Sequence, residues 1–196
     1  MNTDKTTEFI PRAQDDKNRL KNLLNTYNDL GKGLIHGIQK DLSDPIDADC
    51  ALSVITVDSD EGLEIMRHTV AAQVLALAIK NIYPDAKLAI GPTIENGFYY
   101  DFLTKSAISS EDLPKIEKEM KKIVMEKSEV RKSFHDEKNA TAKFKKISQD
   151  YKVKIIEESD QTNDFQIYEN EDVNFIDLCK GPHLPNLSHI GVFKLT

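Results

Sequence analysis

Near the carboxyl end, Cys179-Lys-Gly-Pro-His183 carries the most chemically capable side chains in the sequence. Gly181-Pro182 cannot continue a helix, so the segment is a turn or loop. A loop of that length can fold back and bring a thiol and an imidazole together, to ligate zinc or to assist a hydrolysis. The same spacing also occurs as incidental loop residues, and alone it leaves both readings open. Asp177, two residues before Cys179, points to the same face if a strand runs into the loop. His68 lies near the start of a long apolar stretch, where a lone histidine is either a satisfied core residue or a partner for something converging on it. His135 and His189 read as surface residues, and His36 has no assigned role.

A second segment is Gly91-Pro-Thr-Ile-Glu-Asn-Gly-Phe-Tyr-Tyr-Asp101. Two turns flank a short linker, and an aromatic strand follows. It is either a hairpin with a structural aromatic cluster or a glycine-lined pocket wall, with Gly97 beside the Tyr100 hydroxyl, that admits a nucleoside or an ester.

Several elements must position these groups. Leu20, Leu23, Leu24 and Tyr27 predict a short amphipathic helix over Asp15–Tyr27. Ala51–Val57, rich in β-branched residues, reads as a strand that Cys50 enters. Asp58-Ser-Asp-Glu-Gly62 is a polar hinge and marks a domain boundary, giving domains 1–60 and 61–196. Leu63–Ile82 predicts a helix, apolar over most of its circumference and therefore buried. Lys87–Ile90 and Gly97–Phe102 read as strands. A helix follows Ser109 or Ser110, with Ile116, Met120, Ile123 and Val124 as its buried stripe, and a second covers Lys138–Gln149. Short strands are expected near Val153–Ile156, Phe165–Tyr168, Asn174–Asp177 and Gly191–Leu195. Helices and strands mix without βαβ alternation, which makes the fold class α+β.

At 39% hydrophobic and 30% charged, the composition is that of a soluble globular protein. The run Val70–Ile79 is too short for a membrane span, and the polar amino terminus has no apolar signal core, so a cytoplasmic setting is expected. Two distant cysteines in such a setting read as thiols. The net charge of −7 argues against a generic nucleic-acid grip. Residues 115–154, however, hold 13 Lys/Arg against 7 Asp/Glu, or +6, leaving −13 elsewhere. That basic stripe is either a solvated helix face or a surface for a phosphate backbone.

Glu61-Gly-Leu-Glu-Ile-Met-Arg-His68, Asp85–Phe102, Asp177–Pro185 and His189–Thr196 together resemble bacterial threonyl-tRNA synthetases, in the family's order and spacing. The resemblance covers about Asp47–Thr196. It implies a small β-grasp-like, ubiquitin-like leading domain, then an editing domain with a buried helix and an antiparallel sheet. The implied activity is hydrolysis of seryl-tRNA formed in error on the threonine tRNA. Carried over residue by residue, the implied catalytic set is His68, Cys179, His183, Asp177 and Lys152, with Tyr100, Gly97 and Gln73 at the substrate. His68 or His183 would activate water, Cys179 and Asp177 would orient it, Lys152 would offset negative charge, and Tyr100 would hold the terminal adenosine. The loop from Tyr168 to Phe175 is longer than the family's, which sets Tyr168 apart. The implied metal set is His68, Cys179 and His183. No cofactor is required, although zinc fits the residue types. The implied partner is the tRNA acceptor end, met by the basic stripe. The rest of a synthetase is expected beyond Thr196, and the chain by itself is expected to be monomeric.

The sequence departs from the family in one place. The second helix histidine, due four residues after His68, is Ala72. Counting back from Ala78-Ile-Lys80 instead puts Thr69 and Gln73 at the two histidine positions, so one extra residue lies between His68 and Val74. One residue turns a helix by about 100°, unless a π-bulge absorbs it. The alternative function is therefore a degenerate, non-catalytic tRNA-binding module.

Overall fold

Ser59 starts the central element. Its hydroxyl accepts the Gly62 N–H at 3.0 Å and donates to Thr56 O at 2.9 Å, and Asp60 and Glu61 follow in the first turn. The computed structural model describes residues 33–35, 38–45 and 52–196. The helix expected over Asp15–Tyr27, His36 and Cys50 lie outside the described residues.

Helix α1 (Asp60–Ile82) is α-helical over Asp60–Thr69, π-helical over Val70–Leu75 and α-helical again over Ala76–Ile82. A π-turn closes five residues back instead of four, so it takes up one extra residue without rotating the helix beyond it. The added residue that the resemblance implies between His68 and Val74 is absorbed at this point. All residues from Thr69 to Ile79 are buried. By length and composition α1 is long and apolar enough to cross a membrane, but 72% of its apolar window is enclosed by the protein itself.

Before α1, strands β1 (Gly33–Ile35), β2 (Ile38–Lys40) and β3 (Leu52–Val54) form an antiparallel sheet in the order β2-β1-β3. After it, β4 (Lys87–Leu88) pairs with β7 (Phe102–Leu103), and β5 (Thr93–Ile94) with β6 (Gly97–Phe98). The strand expected over Gly97–Phe102 is thus two strands with Tyr99 to Asp101 between them. Helix α2 (Leu113–Glu126) buries Ile116, Met120 and Ile123 against α1.

Strand β8 (Arg131–His135), helices α3 (Glu137–Lys146) and α4 (Asp150–Glu157), and strands β9 (Phe165–Asn170) and β10 (Phe175–Leu178) complete the fold. The sheet order is β10-β9-β8, antiparallel throughout. The mixture is α+β. Two further expectations are corrected. Val153–Ile156 is helical, in α4: Val153 and Ile156, three apart, are buried while Lys154 and Ile155 face out, a helical period that the β-branched composition concealed. Gly191–Leu195 makes no strand ladder among the described residues. It is held instead by Leu195 N–H on Glu117 Oε2 at 3.3 Å.

Strand β10 lies between two hydrophobic clusters. Phe175 belongs to the one around α1 and α2, whereas Ile176 and Leu178 pack against the one formed by α3, α4 and β9. The alternation of the strand thereby aims Asp177 inward and delivers Cys179 at its end.

Candidate active site

The loop leaving β10 turns back on α1. Cys179 N–H donates to Gln166 O at 3.2 Å, and Gly181 N–H donates to Cys179 Sγ at 3.4 Å. Gly181 has φ +65° and precedes a cis bond to Pro182. A Cβ at Gly181 would lie 1.8 Å from the Tyr168 hydroxyl oxygen, so only glycine fits there. The turn carries His183 into the interior, at 1% exposure.

Three of the expected site residues converge. His68 Nε2 is 2.9 Å from Cys179 Sγ, and the His68 and His183 rings stack with centroids 4.6 Å apart and planes 11° from parallel. Tyr168 meets the His183 ring edge-on, 4.4 Å between centroids. Burial, then the nearby Asp177 carboxylate, push the Cys179 thiol up to about 12. At neutral pH it is a thiol, a weak donor to His68 Nε2 and no nucleophile.

Thr69, next to His68, fixes the His183 ring. Its single hydroxyl proton goes to Ile65 O at 2.8 Å, and its oxygen accepts Leu184 N–H at 2.9 Å. The remaining lone pair faces His183 Nδ1 at 3.3 Å. A hydroxyl that has already given its proton to Ile65 can only accept there, so Nδ1 carries the hydrogen and Nε2 is the basic nitrogen.

The other three expected polar residues form an adjoining buried network. Lys152 Nζ lies 2.6 Å from Asp177 Oδ1, both side chains 3% exposed, and donates to Leu178 O at 3.3 Å. Tyr100 OH donates to Asp177 Oδ2 at 3.3 Å, and Lys152 Nζ lies 5.9 Å from the Tyr100 ring centre. Burial raises the Asp177 carboxyl, and the Lys152 ammonium opposes that. The Tyr100 hydroxyl is raised by burial and then by Asp177, so it stays a donor. Gly91 lets the Tyr100 ring approach, since a Cβ there would fall 2.3 Å from Cδ2.

No hydrogen bond or ion pair among the described residues joins Gly97 or Gln73 to these groups. Gly97 sits in the β5–β6 hairpin with only Ile94 within 4 Å of a Cβ at its position. Arg67 fastens that hairpin to α1, donating to Glu95 O at 2.8 Å. Gln73 lies in the π-helical turn, fully buried, its amide without a hydrogen-bond partner among the described residues. No motif or periodicity in the sequence marks Asp41 or Lys132. Asp41 accepts Tyr168 OH at 2.5 Å and His183 N–H at 3.2 Å, and pairs with Lys132 Nζ at 2.9 Å.

Could a metal sit here? The donor atoms of His68, Cys179 and His183 all lie within 4.8 Å of one another, close enough for one cation. The orientation does not fit. An imidazole nitrogen binds a metal through a lone pair in the ring plane, and two rings stacked 11° from parallel do not aim their lone pairs at a common point between them. As arranged, the cluster is a hydrogen-bonded and stacked one rather than a ligand cage.

Residues 166–196 match the family model described as the threonyl and alanyl tRNA synthetase second additional domain. The chain is 45% identical over 163 residues to threonine–tRNA ligase 1 of Bacillus subtilis, covering 83% of this chain and 25% of that protein. It is 43% identical over 161 residues to the threonine–tRNA ligase of Clostridium novyi, covering 82% and 25%. With that of Acidithiobacillus ferrooxidans it shares 42% over 161 residues, covering 82% and 24%. The chain therefore spans about a quarter of the length of the relatives it matches. Identity at this level over more than four fifths of the chain, with the family model matched at residues 166–196, places the chain in the threonyl-tRNA synthetase family, as part of its amino-terminal region.

Proposed function

We propose that this chain hydrolyses the ester of serine on the threonine tRNA, with His183 as general base. Serine differs from threonine by one methyl, worth about 1–3 kcal/mol in a pocket, so a synthetase that must reject serine gains from a second, hydrolytic site. The observation that carries the proposal is the fixed tautomer of His183. Thr69 holds Nδ1–H and leaves Nε2 basic beside His68 and Cys179.

In this reaction His183 Nε2 takes a proton from water as its oxygen attacks the ester carbonyl. The carbonyl π electrons move onto oxygen, and the tetrahedral oxyanion collapses with cleavage of the bond to the ribose oxygen. That oxygen takes the proton back from His183. His68, oriented by the Cys179 thiol, holds the water or the seryl amine. Lys152, anchored on Asp177, gives the site a fixed positive charge against the oxyanion. Tyr100 steadies Asp177 and presents its ring edge to the terminal adenosine. No metal is needed for any of these steps. Along residues 115–154 many cations are already paired, for example Lys121 with Glu117, Lys143 with Glu169 and Lys145 with Glu157. Lys118, Lys127, Lys138 and Lys146 make no ion pair among the described residues and are the cations offered to the tRNA acceptor end.

Deacylation of seryl-tRNA by the chain tests this, with His183→Ala and Cys179→Ala beside it. Release of serine above background, cut about 10²- to 10⁴-fold in His183→Ala, is expected. Release indifferent to both substitutions would remove the proposal. The buried Gln73 amide, standing where the family carries a histidine, favours a second reading in which the chain binds tRNA without chemistry. Salt-dependent tRNA binding with no serine release selects that reading. Zinc at less than a tenth of an equivalent, in protein purified without added metal, is expected. One equivalent would contradict the metal-free mechanism.

A further inference from the structure

The turn after β2 reaches the site from 142 residues away along the chain. Asp41 N–H donates to Asp44 Oδ2 at 2.9 Å, and Asp44 N–H to Asp41 O at 3.0 Å, which closes the turn on itself. The Asp41 side chain is 10% exposed and points away from solvent. One of its oxygens accepts the backbone N–H of His183 at 3.2 Å. The other accepts the Tyr168 hydroxyl at 2.5 Å and lies 2.9 Å from Lys132 Nζ. Tyr168 in turn packs its ring perpendicular to the His183 imidazole and sets its hydroxyl over Gly181. One carboxylate thus holds the main chain of His183, the aromatic ring that packs on its imidazole and, through that ring, the turn before it. Lys132 balances the charge and is shared with Asp44, which is 8% exposed and hydrogen-bonds neither Tyr168 nor His183 among the described residues.

We propose that Asp41 is a positioning residue of the hydrolytic site, so that the segment before α1 sets the height and tilt of His183. This rests on the general-base role assigned to His183 above. A carboxylate that accepts two donors and pairs with a buried ammonium is a stiff anchor, because moving it breaks three charge-assisted contacts together. General-base efficiency falls steeply with displacement of the base.

The test compares Asp41→Asn, Asp44→Asn and Tyr168→Phe in the full chain. Asp41→Asn keeps the shape but loses the charge and one acceptor. Asp44→Asn disturbs the same Lys132 and removes no hydrogen bond to Tyr168 or His183. Single-turnover release of serine is expected to fall about 10- to 100-fold in Asp41→Asn, with half-saturation unchanged within about twofold. Tyr168→Phe falls in the same direction by less, and Asp44→Asn stays at the parent rate. The His183 imidazole NMR resonances shift in Asp41→Asn and Tyr168→Phe and not in Asp44→Asn. Equal effects of Asp41→Asn and Asp44→Asn would reduce Asp41 to a counter-ion for Lys132 and overturn the proposal, as would unmoved resonances. Should Asp41→Asn fail to fold, Tyr168→Phe decides by the same two readouts. If the parent chain releases no serine, the hydrolytic reading fails by itself, and the resonances alone decide whether Asp41 positions His183.

Discussion

Replacing Thr69 by valine keeps the shape of the side chain and removes one oxygen. That oxygen donates to Ile65 O at 2.8 Å and accepts from Leu184 N–H at 2.9 Å and from His183 Nδ1–H at 3.3 Å. Ile65 O lies within α1, so its loss is small. The other two are buried donors left without an acceptor, at about 1–3 kcal/mol each. The longer His183 contact takes the lower end, so the total is about 2–4 kcal/mol of stability. The catalytic effect is separate. Without an acceptor at Nδ1, His183 populates both tautomers, and Nε2 is no longer held basic. A loss of about 1.4 kcal/mol in the right tautomer slows the step about tenfold. Denaturant unfolding measures the first effect and single-turnover serine release the second. Nitrogen-15 NMR of the imidazole reports the tautomer directly. Thr69→Ser, which restores the oxygen, should recover most of both. Unchanged stability together with an unchanged nitrogen pattern in Thr69→Val would refute the reasoning, because the oxygen would then hold neither Leu184 nor His183.

Three further outcomes follow from the same geometry. Lys152→Met strands the buried Asp177 carboxyl and should cost about 3–5 kcal/mol, while Lys152→Met with Asp177→Leu costs less than the single change; denaturant melts decide, and additive losses would contradict the pairing. Cys179 should be alkylated by iodoacetamide with a midpoint near pH 12. Because folding favours its neutral form, it contributes stability that is complete below about pH 9.0 and lost as pH rises through 12, and a reactive midpoint below 9 would be inconsistent with a thiol raised by its surroundings. Glu117 is lowered from 4.5 to about 2 by hydrogen bonds from Lys121, then from Lys194 and the Leu195 amide. Its contribution is present above pH 4.5 and lost as pH falls through 2, so Glu117→Gln should flatten that acid limb and speed hydrogen exchange at Leu195.

Motif and periodicity made some of this visible in the sequence. The cysteine–histidine loop, His68 and the inward Asp177 could be named because turn chemistry and strand alternation act locally. The extra residue in α1 left two possibilities, rotation or a π-turn, and packing chose the second by keeping Thr69 to Ile79 all buried. Thr69 fell at a histidine position when counted from the helix end, but its role depends on a hydroxyl proton whose destination only the three-dimensional contacts reveal. Asp41 was out of reach for a different reason: nothing in a polar turn signals a partner 142 residues away. Local composition also misled at Val153–Ile156, where β-branching masked a helical period. Strand β8 went unnoticed because Arg131 and Lys132 look like loop residues, although Lys132 has only 5% of its side chain exposed.

The central claim is that His183, held by Thr69 and stacked on His68, removes a proton from water at a seryl ester. Its most direct measurement is single-turnover serine release from seryl-tRNA by the parent chain and by His183→Ala, in metal-free buffer. Release that loses at least about a hundredfold of its rate in His183→Ala is the predicted result. A rate that keeps its magnitude without the imidazole would contradict it.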